Sequence, residues 1–190
     1  MNNVLMLSQK GGTGKSTIAD NLAFMLEDEG HAVTFYDTDP QESAIHATVV
    51  YEDADYTIVD TPGVLTDDTR DMLKASDLVI IPTQASMLDM KPLERTRELV
   101  AKTVPSVPVL IVINGWNRWS NASNFKEWLE GTLRPTEHLA ILSQSDMIRQ
   151  AANEGLSVVS YAPNSRPARE LIEILEQVKG LLGVEARSGN

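Results

Sequence analysis

The chain has 190 residues, of which 42% are hydrophobic, and it contains no cysteine. That is the composition of an ordinary globular protein, and it excludes a disulfide framework and any thiolate metal or iron–sulfur site. The net charge of −11 opposes long-range attraction to nucleic acid or anionic lipid, so any DNA binding would need a local basic patch.

Taken in chain order, short apolar runs alternate with amphipathic stretches. Val4–Leu7 reads as a strand, and Lys15–Glu29 as a helix closed by Gly30. Strands at Ala32–Tyr36 and Thr57–Val59 precede a helix at Asp67–Ala75. A strand at Leu78–Ile81 leads to a helix at Pro92–Thr103, where proline suits the first turn. Then come a strand at Val107–Ile113, a helix at Ser123–Leu133, a strand at Leu139–Leu142 and a helix at Ser145–Glu154 closed by Gly155. A strand at Val158–Ser160 and a helix at Arg166–Leu182 complete the pattern. Several strands are β-branched with little alternation, as strands covered on both faces are. The pattern predicts a three-layer α/β fold, with a mostly parallel twisted sheet of about seven strands and helices on both faces. Residues 1–184 form one domain in this reading and 185–190 a C-terminal tail. No apolar run reaches the ~20 residues that span a bilayer, and the N-terminus lacks a basic region followed by an apolar stretch. A cytoplasmic location is the default expectation.

Between the first strand and the first helix lies QKGGTGKST. Glycines there let backbone N–H groups turn toward an anion, and the helix N-terminus adds partial positive charge. Lys15 can reach terminal phosphates and the Ser16 hydroxyl can ligate Mg²⁺. The Walker A pattern G-x-x-x-x-G-K-[ST] asks for glycine where this chain has Gln9, and a second lysine, Lys10, follows. From the residues alone, Lys10 is either a second phosphate contact or a solvated surface lysine. YTIVDTPG ends a strand on Asp60, in the form of a Walker B aspartate that holds Mg²⁺. FYDTDPQ places Asp37 and Asp39 two residues apart, so an extended chain points both carboxylates the same way. Strand ends of an open α/β sheet gather at the ligand crevice, so Asp37, Asp39 and Asp60 can converge on the phosphate loop.

The ordered set QKGGTGKST, DTDPQ and VDTPG resembles the deviant-Walker-A ATPases of the ParA/MinD superfamily, and most of all the short ParA-type plasmid partition ATPases. The resemblance runs from Val4 to about Leu182. It implies a P-loop ATPase that uses ATP and Mg²⁺ and forms an ATP-dependent sandwich homodimer. In that dimer Lys10 reaches the phosphates of the other copy, where a cation supplied in trans offsets developing charge. By matched position it assigns phosphate binding to Gly11, Gly12, Thr13, Gly14, Lys15, Ser16 and Thr17. Asp39 orients the attacking water with Asp37 assisting, and Mg²⁺ falls to Ser16, Asp37 and Asp60. Asn114 is placed near the adenine, with Pro163 and Asn164 on a loop that packs on the base. TQASMLDMKP corresponds to the loop at the dimer face, with Asp89 the residue of interest there.

The implied partners are a ParB-like centromere-binding adaptor and non-specific DNA, the latter through Arg134, Arg149, Arg166, Arg169 and Lys179. The span between residues 41 and 57 is short for the family, and the chain begins too close to its first strand for an N-terminal helix-turn-helix, which argues against operator-specific DNA binding. Three alternatives stand beside this reading. A MinD-like membrane ATPase needs a basic amphipathic C-terminal helix. Here the helix carries Leu171, Ile174, Leu175, Val178, Leu181 and Leu182 on one face, but Glu170, Glu173 and Glu176 against Lys179 on the other. Packing onto the sheet is therefore expected, and no membrane partner. A ligase of the dethiobiotin-synthetase type would need a polar substrate pocket beside the γ-phosphate. A non-hydrolysing nucleotide-dependent scaffold fits poorly with an intact Asp37, Asp39 and Asp60 set.

Overall fold

A computed structural model describes residues 1–38, 44–63, 67–117 and 122–184. Six strands form one parallel sheet: β1 (Asn2–Met6), β2 (Val33–Asp37), β3 (Tyr56–Asp60), β4 (Leu78–Gln84), β5 (Val109–Trp116) and β6 (Glu137–Ser143). Their order across the sheet is β2-β3-β1-β4-β5-β6. The helices are α1 (Lys15–Asp28), α2 (Asp67–Lys74), α3 (Met87–Thr103), α4 (Ala122–Thr132), α5 (Asp146–Asn153), α6 (Val158–Tyr161) and α7 (Arg166–Leu181).

Alternate residues of each strand serve two separate cores, one on each side of the sheet. Val4, Met6, Phe35, Ile58 and Ile80 pack with Ile18 and Leu22 of α1 and with Leu171, Ile174, Leu175 and Val178 of α7. Leu5, Leu7, Val79, Ile81 and Ile113 pack on the second face with Leu73 of α2, Leu93 and Val100 of α3, and Phe125 and Leu129 of α4. The apolar stripe of α7 is thus buried in the domain, while Glu173 and Glu176 are exposed. Among the described residues no helix is long and apolar enough to cross a membrane.

The sheet has six strands where seven were expected, because Val158–Ser160 lies in α6. Two adjacent valines favour an extended chain locally, but tertiary bonds override that preference. The Ser157 hydroxyl caps the turn by accepting from the Ser160 N–H at 3.0 Å. Asn21 of α1 accepts from the Val158 N–H at 2.8 Å. A second difference is the start of α3, at Met87 and not at Pro92. The Ser86 side chain accepts from the Leu88 N–H at 3.2 Å and caps a helix that runs on through Pro92. Proline here forgoes one helical bond, in a turn whose Leu88 is 82% exposed to water.

The second face is braced by a buried charge network. Arg97 on α3 is 1% exposed and Glu137 on β6 is 7% exposed. Arg97 Nε donates to Glu137 Oε1 at 3.0 Å, and its Nη atoms donate to Glu94, to the Thr132 carbonyl and again to Glu137. Burial acts to push the Glu137 carboxyl up, but the hydrogen bonds and charge of Arg97 outweigh it and hold the group below its ordinary value. Truncating only one partner strands a buried charge. Arg97→Met should therefore cost about 3–5 kcal/mol in urea denaturation, and the pair Arg97→Met with Glu137→Leu should recover most of that loss.

Candidate functional site

β1 is flanked by β3 and β4, and the chain leaves its C-terminal end through residues 7–14 into α1. Gly12 and Gly14 hold φ values of 73° and 97°, a left-handed region that glycine enters without strain. At Gly14 a Cβ would also meet Asn114 Nδ2 at 2.0 Å. That nitrogen donates to the Thr13 carbonyl at 3.0 Å, so the end of β5 braces the loop from one side. Gln84, at the end of β4, donates to the Gly12 carbonyl at 3.1 Å. Thr96 of α3 accepts from the Gln9 N–H at 3.4 Å. The loop is therefore shaped by three separate elements, and Lys15 enters α1 almost fully buried.

Asp60 pairs in register with Met6 on one side and Asp37 on the other, which sets both carboxylates at the mouth of the loop. Asp60 is 0% exposed, and neither carboxylate oxygen has a hydrogen bond of ordinary geometry. Burial pushes its carboxyl up to about 6, the Ser16 hydroxyl and Lys15 partly oppose the rise, and the negative charges of Asp37 and Asp20 add to it. Two orphaned, buried oxygens beside a hydroxyl fit a hard cation held directly or through water. Among the described residues no three His, Cys, Asp or Glu side chains gather to hold a metal. Asp60 beside the Ser16 hydroxyl suits Mg²⁺, which takes one or two carboxylates and completes its shell with phosphate and water.

Lys10 stands at the rim of the loop. Its Nζ lies 2.8 Å from Asp89 Oδ1, with the lysine side chain 35% exposed and the aspartate 1% exposed. Asp89 sits in the first turn of α3, beside Met87 and Leu88, which are 61% and 82% exposed. On the other side of the loop a cleft of about 370 Å³ opens between α1, α5 and the ends of β5 and β6, lined by Thr17, Asn21, Phe24, Asn114, Gln144 and Arg149 among others. Pro163 and Asn164 are exposed on the turn before α7 and do not line this cleft. Asp39 lies outside the described residues.

Sequence reasoning passed over Asp20. It is 3% exposed on α1, accepts from the Ile45 and His46 N–H groups, and is pushed up by burial against those bonds. Nothing local distinguishes it from a solvated helix aspartate, and only the packing of residues 45–46 on α1 reveals it. The basic residues proposed for DNA are mostly paired. Arg149 lies 3.2 Å from Asp146, Arg166 2.7 Å from Glu170, Lys179 2.6 Å from Glu29, and Arg134 3.7 Å from both Glu94 and Glu137. Arg169 donates to the Asn164 carbonyl at 2.8 Å.

The model of the CobQ/CobB/MinD/ParA nucleotide-binding domain family matches residues 4–158. Protein ParA of Rhizobium radiobacter is 31% identical over 124 residues, covering 52% of this chain and 56% of that protein. The match thus takes in about half the length of that curated relative. The solved ATP complex of Cyanothece McdA superposes with a TM-score of 0.75 at 18% identity, covering 100% of this chain and 99% of that one. The septum site-determining protein MinD of Pyrococcus horikoshii, solved with Mg-ADP, gives 0.75 at 18% identity, with 98% and 99% covered. At these identities the structural likeness is one of fold.

The raised Asp60 carboxyl has a signed consequence. With a folded value near 6 against 3.8 unfolded, the free protein holds this proton more tightly than the unfolded chain does. Its contribution is most favourable below the unfolded value, and about 3 kcal/mol is lost as pH rises through 6. Asp60→Asn should therefore raise stability at about pH 7.5 by ~1–3 kcal/mol in urea denaturation, with the gain fading toward about pH 4. The same variant should lose Mg²⁺-dependent nucleotide binding, read by calorimetry.

Proposed function

We propose that this chain, which belongs to the CobQ/CobB/MinD/ParA nucleotide-binding domain family, is a ParA-type ATPase that hydrolyses ATP with Mg²⁺ and uses the nucleotide to switch between single chain and sandwich dimer. The dimer positions plasmid DNA or another cargo with the help of an adaptor protein. One observation carries the reading: an intact phosphate loop bears a second lysine, Lys10, held at the rim by a buried aspartate and not folded into the loop.

Gly11, Gly12, Thr13 and Gly14 offer backbone N–H groups to the phosphates, and the start of α1 adds its partial positive charge. Lys15 supplies a fixed cation, and Ser16, Asp37 and Asp60 are the residues that would hold Mg²⁺. When bound, that ion supplies charge neutralisation at the terminal phosphates. Asp39 orients the attacking water, with Asp37 beside it. Thr17 and Asn114 border the cleft that takes the nucleoside. For Lys10 to reach the phosphates of a second copy it must exchange Asp89 for phosphate oxygen, one anion for another. Met87 and Leu88 give the same face an apolar edge for the second copy to cover.

The DNA-binding part of the reading rests on exposed arginines that are now largely paired. Exposed ion pairs such as Arg149 with Asp146 contribute only ~0–1 kcal/mol, so a DNA phosphate can displace the carboxylate there.

Asp39→Ala should abolish turnover and trap an ATP-bound dimer by light scattering; a variant that stays monomeric with ATP would overturn the switch. Lys10→Ala should keep nucleotide affinity within about tenfold yet lose ATP-dependent dimerisation or stimulated turnover. Turnover with and without non-specific DNA tests the cargo track. Arg166→Ala with Arg169→Ala should weaken ATP-dependent DNA binding and flatten its salt dependence, and no binding by the unaltered chain at low salt would point to a non-DNA cargo.

A further inference from the structure

A cleft of about 470 Å³ lies over β1, β3 and β2 on the second face of the sheet, with Leu5, Tyr36, Val59 and Met72 in its lining. It exists because of how the chain connects β2 to β3. Right-handed crossovers put α1 on the first face as the chain steps from β1 out to β2, and put the return connections on the second. α2, α3 and α4 obey this rule. The described part of the β2-to-β3 connection does not cover the second face. His46 packs on the first face, its ring 4.8 Å from Phe35 and 5.0 Å from Phe24. Val49 and Tyr51 then pair along the outer edge of β2, accepting from the Phe35 N–H at 3.0 Å and donating to the Thr34 hydroxyl at 2.9 Å. That protects the sheet edge and, among the described residues, leaves the second face over β2 and β3 to α2, a helix of eight residues. Tyr36 remains 37% exposed there.

The rim of this cleft is acidic. Asp68 and Asp71 lie one turn before the lining residues Met72 and Ala75, on the same side of α2. Asp77 follows the lining residue Ser76, and its carboxylate accepts from the Asn3 N–H at 2.8 Å. Against them stand Arg70 and Lys74 of α2 and the N-terminal amine of the lining residue Met1, and Lys74 is already tied to Asp71 at 2.8 Å.

We propose that this cleft docks a basic amphipathic helix of a partner protein, with its apolar side in the place a crossover helix would fill and its lysines or arginines on the acidic rim. The site also bears on the phosphate loop. Tyr36 and Val59 are register partners, as are the next residues, Asp37 and Asp60. Thr38, also in the lining, donates its N–H and hydroxyl to the Asp60 carbonyl at 2.9 and 2.8 Å. A helix seated here presses on the strand ends that carry both carboxylates and changes ATP turnover; this last effect rests on the ATPase reading, whereas docking does not.

The probes are a fluorescent amphipathic helical peptide of leucine and lysine and a counterpart with glutamate for lysine, titrated by anisotropy against the full chain without nucleotide. The lysine peptide should bind at least about tenfold more tightly than the glutamate peptide. Tyr36→Glu should weaken it about tenfold, and Asp68→Lys with Asp71→Lys should weaken it and remove most of its salt dependence. Far-ultraviolet circular dichroism checks that each variant is folded, and the exposed α2 pair keeps the test alive if Tyr36→Glu is not. Equal binding of the two peptides, or lysine-peptide binding unchanged in both variants, overturns the proposal. Self-association of the unaltered chain that Tyr36→Glu abolishes, read by sedimentation, also overturns it by making the occupant a second copy. Turnover that changes on adding the peptide, and does so only with Tyr36 intact, supports the coupling. Tight lysine-peptide binding by a chain that hydrolyses no ATP supports docking and defeats the ATPase reading alone.

Discussion

Asp60 is a carboxylate buried at the end of β3 without a hydrogen bond of ordinary geometry, and the site is organised around that deficit. An apolar surround raises the free energy of its ionised form, and the neighbouring Asp37 and Asp20 raise it further. A fold selected for stability alone would place an uncharged residue there, as it does at the three preceding positions, Thr57, Ile58 and Val59. Lys15 and the Ser16 hydroxyl offset part of that cost, and a bound cation would offset more. The protein thus carries an electrostatic preference for a cation beside the glycine loop, which is itself shaped to accept the phosphates.

The same logic extends outward from the loop. Lys10 is a cation at the rim of an anion site, and Asp89 gives it a partner. Asp89 can do so because it sits in the first turn of α3, and α3 is held at its middle by the buried Arg97 network. Thr96, next to Arg97, accepts from Gln9. Loop, lysine and helix are therefore one mechanical unit.

Much of the fold was legible because its signals are local. Uninterrupted β-branched runs mark strands covered on both faces, and Ser145 and Ser165 mark helix starts by chemistry that involves only the next two or three residues. The failures are places where distant groups decide. Val158–Ser160 has strand composition, but Asn21, far away in the chain, takes its first N–H for a helix. Pro92 reads as a helix start until Ser86 caps an earlier one. In the site, Lys15, Ser16, Asp37 and Asp60 were recognisable from motif and strand-end position. Asp20, and the Asn114 amide that braces the loop, were not, because each acts through a backbone group remote in sequence.

By itself, then, the amino-acid sequence determined an α/β sheet, a phosphate loop at its centre, and carboxylates at neighbouring strand ends, since all of these follow from short-range patterning and from the rule that parallel strands end on one side. The tertiary structure decided what each charge meets. It set the buried Asp60 beside the Ser16 hydroxyl and Lys15, gave Lys10 to Asp89, tied most of the C-terminal basic residues to carboxylates, and, among the described residues, left the second face over β2 and β3 to α2. Those outcomes depend on which elements pack against one another, and electrostatic and hydrophobic free energies are set by that proximity, not by position along the chain.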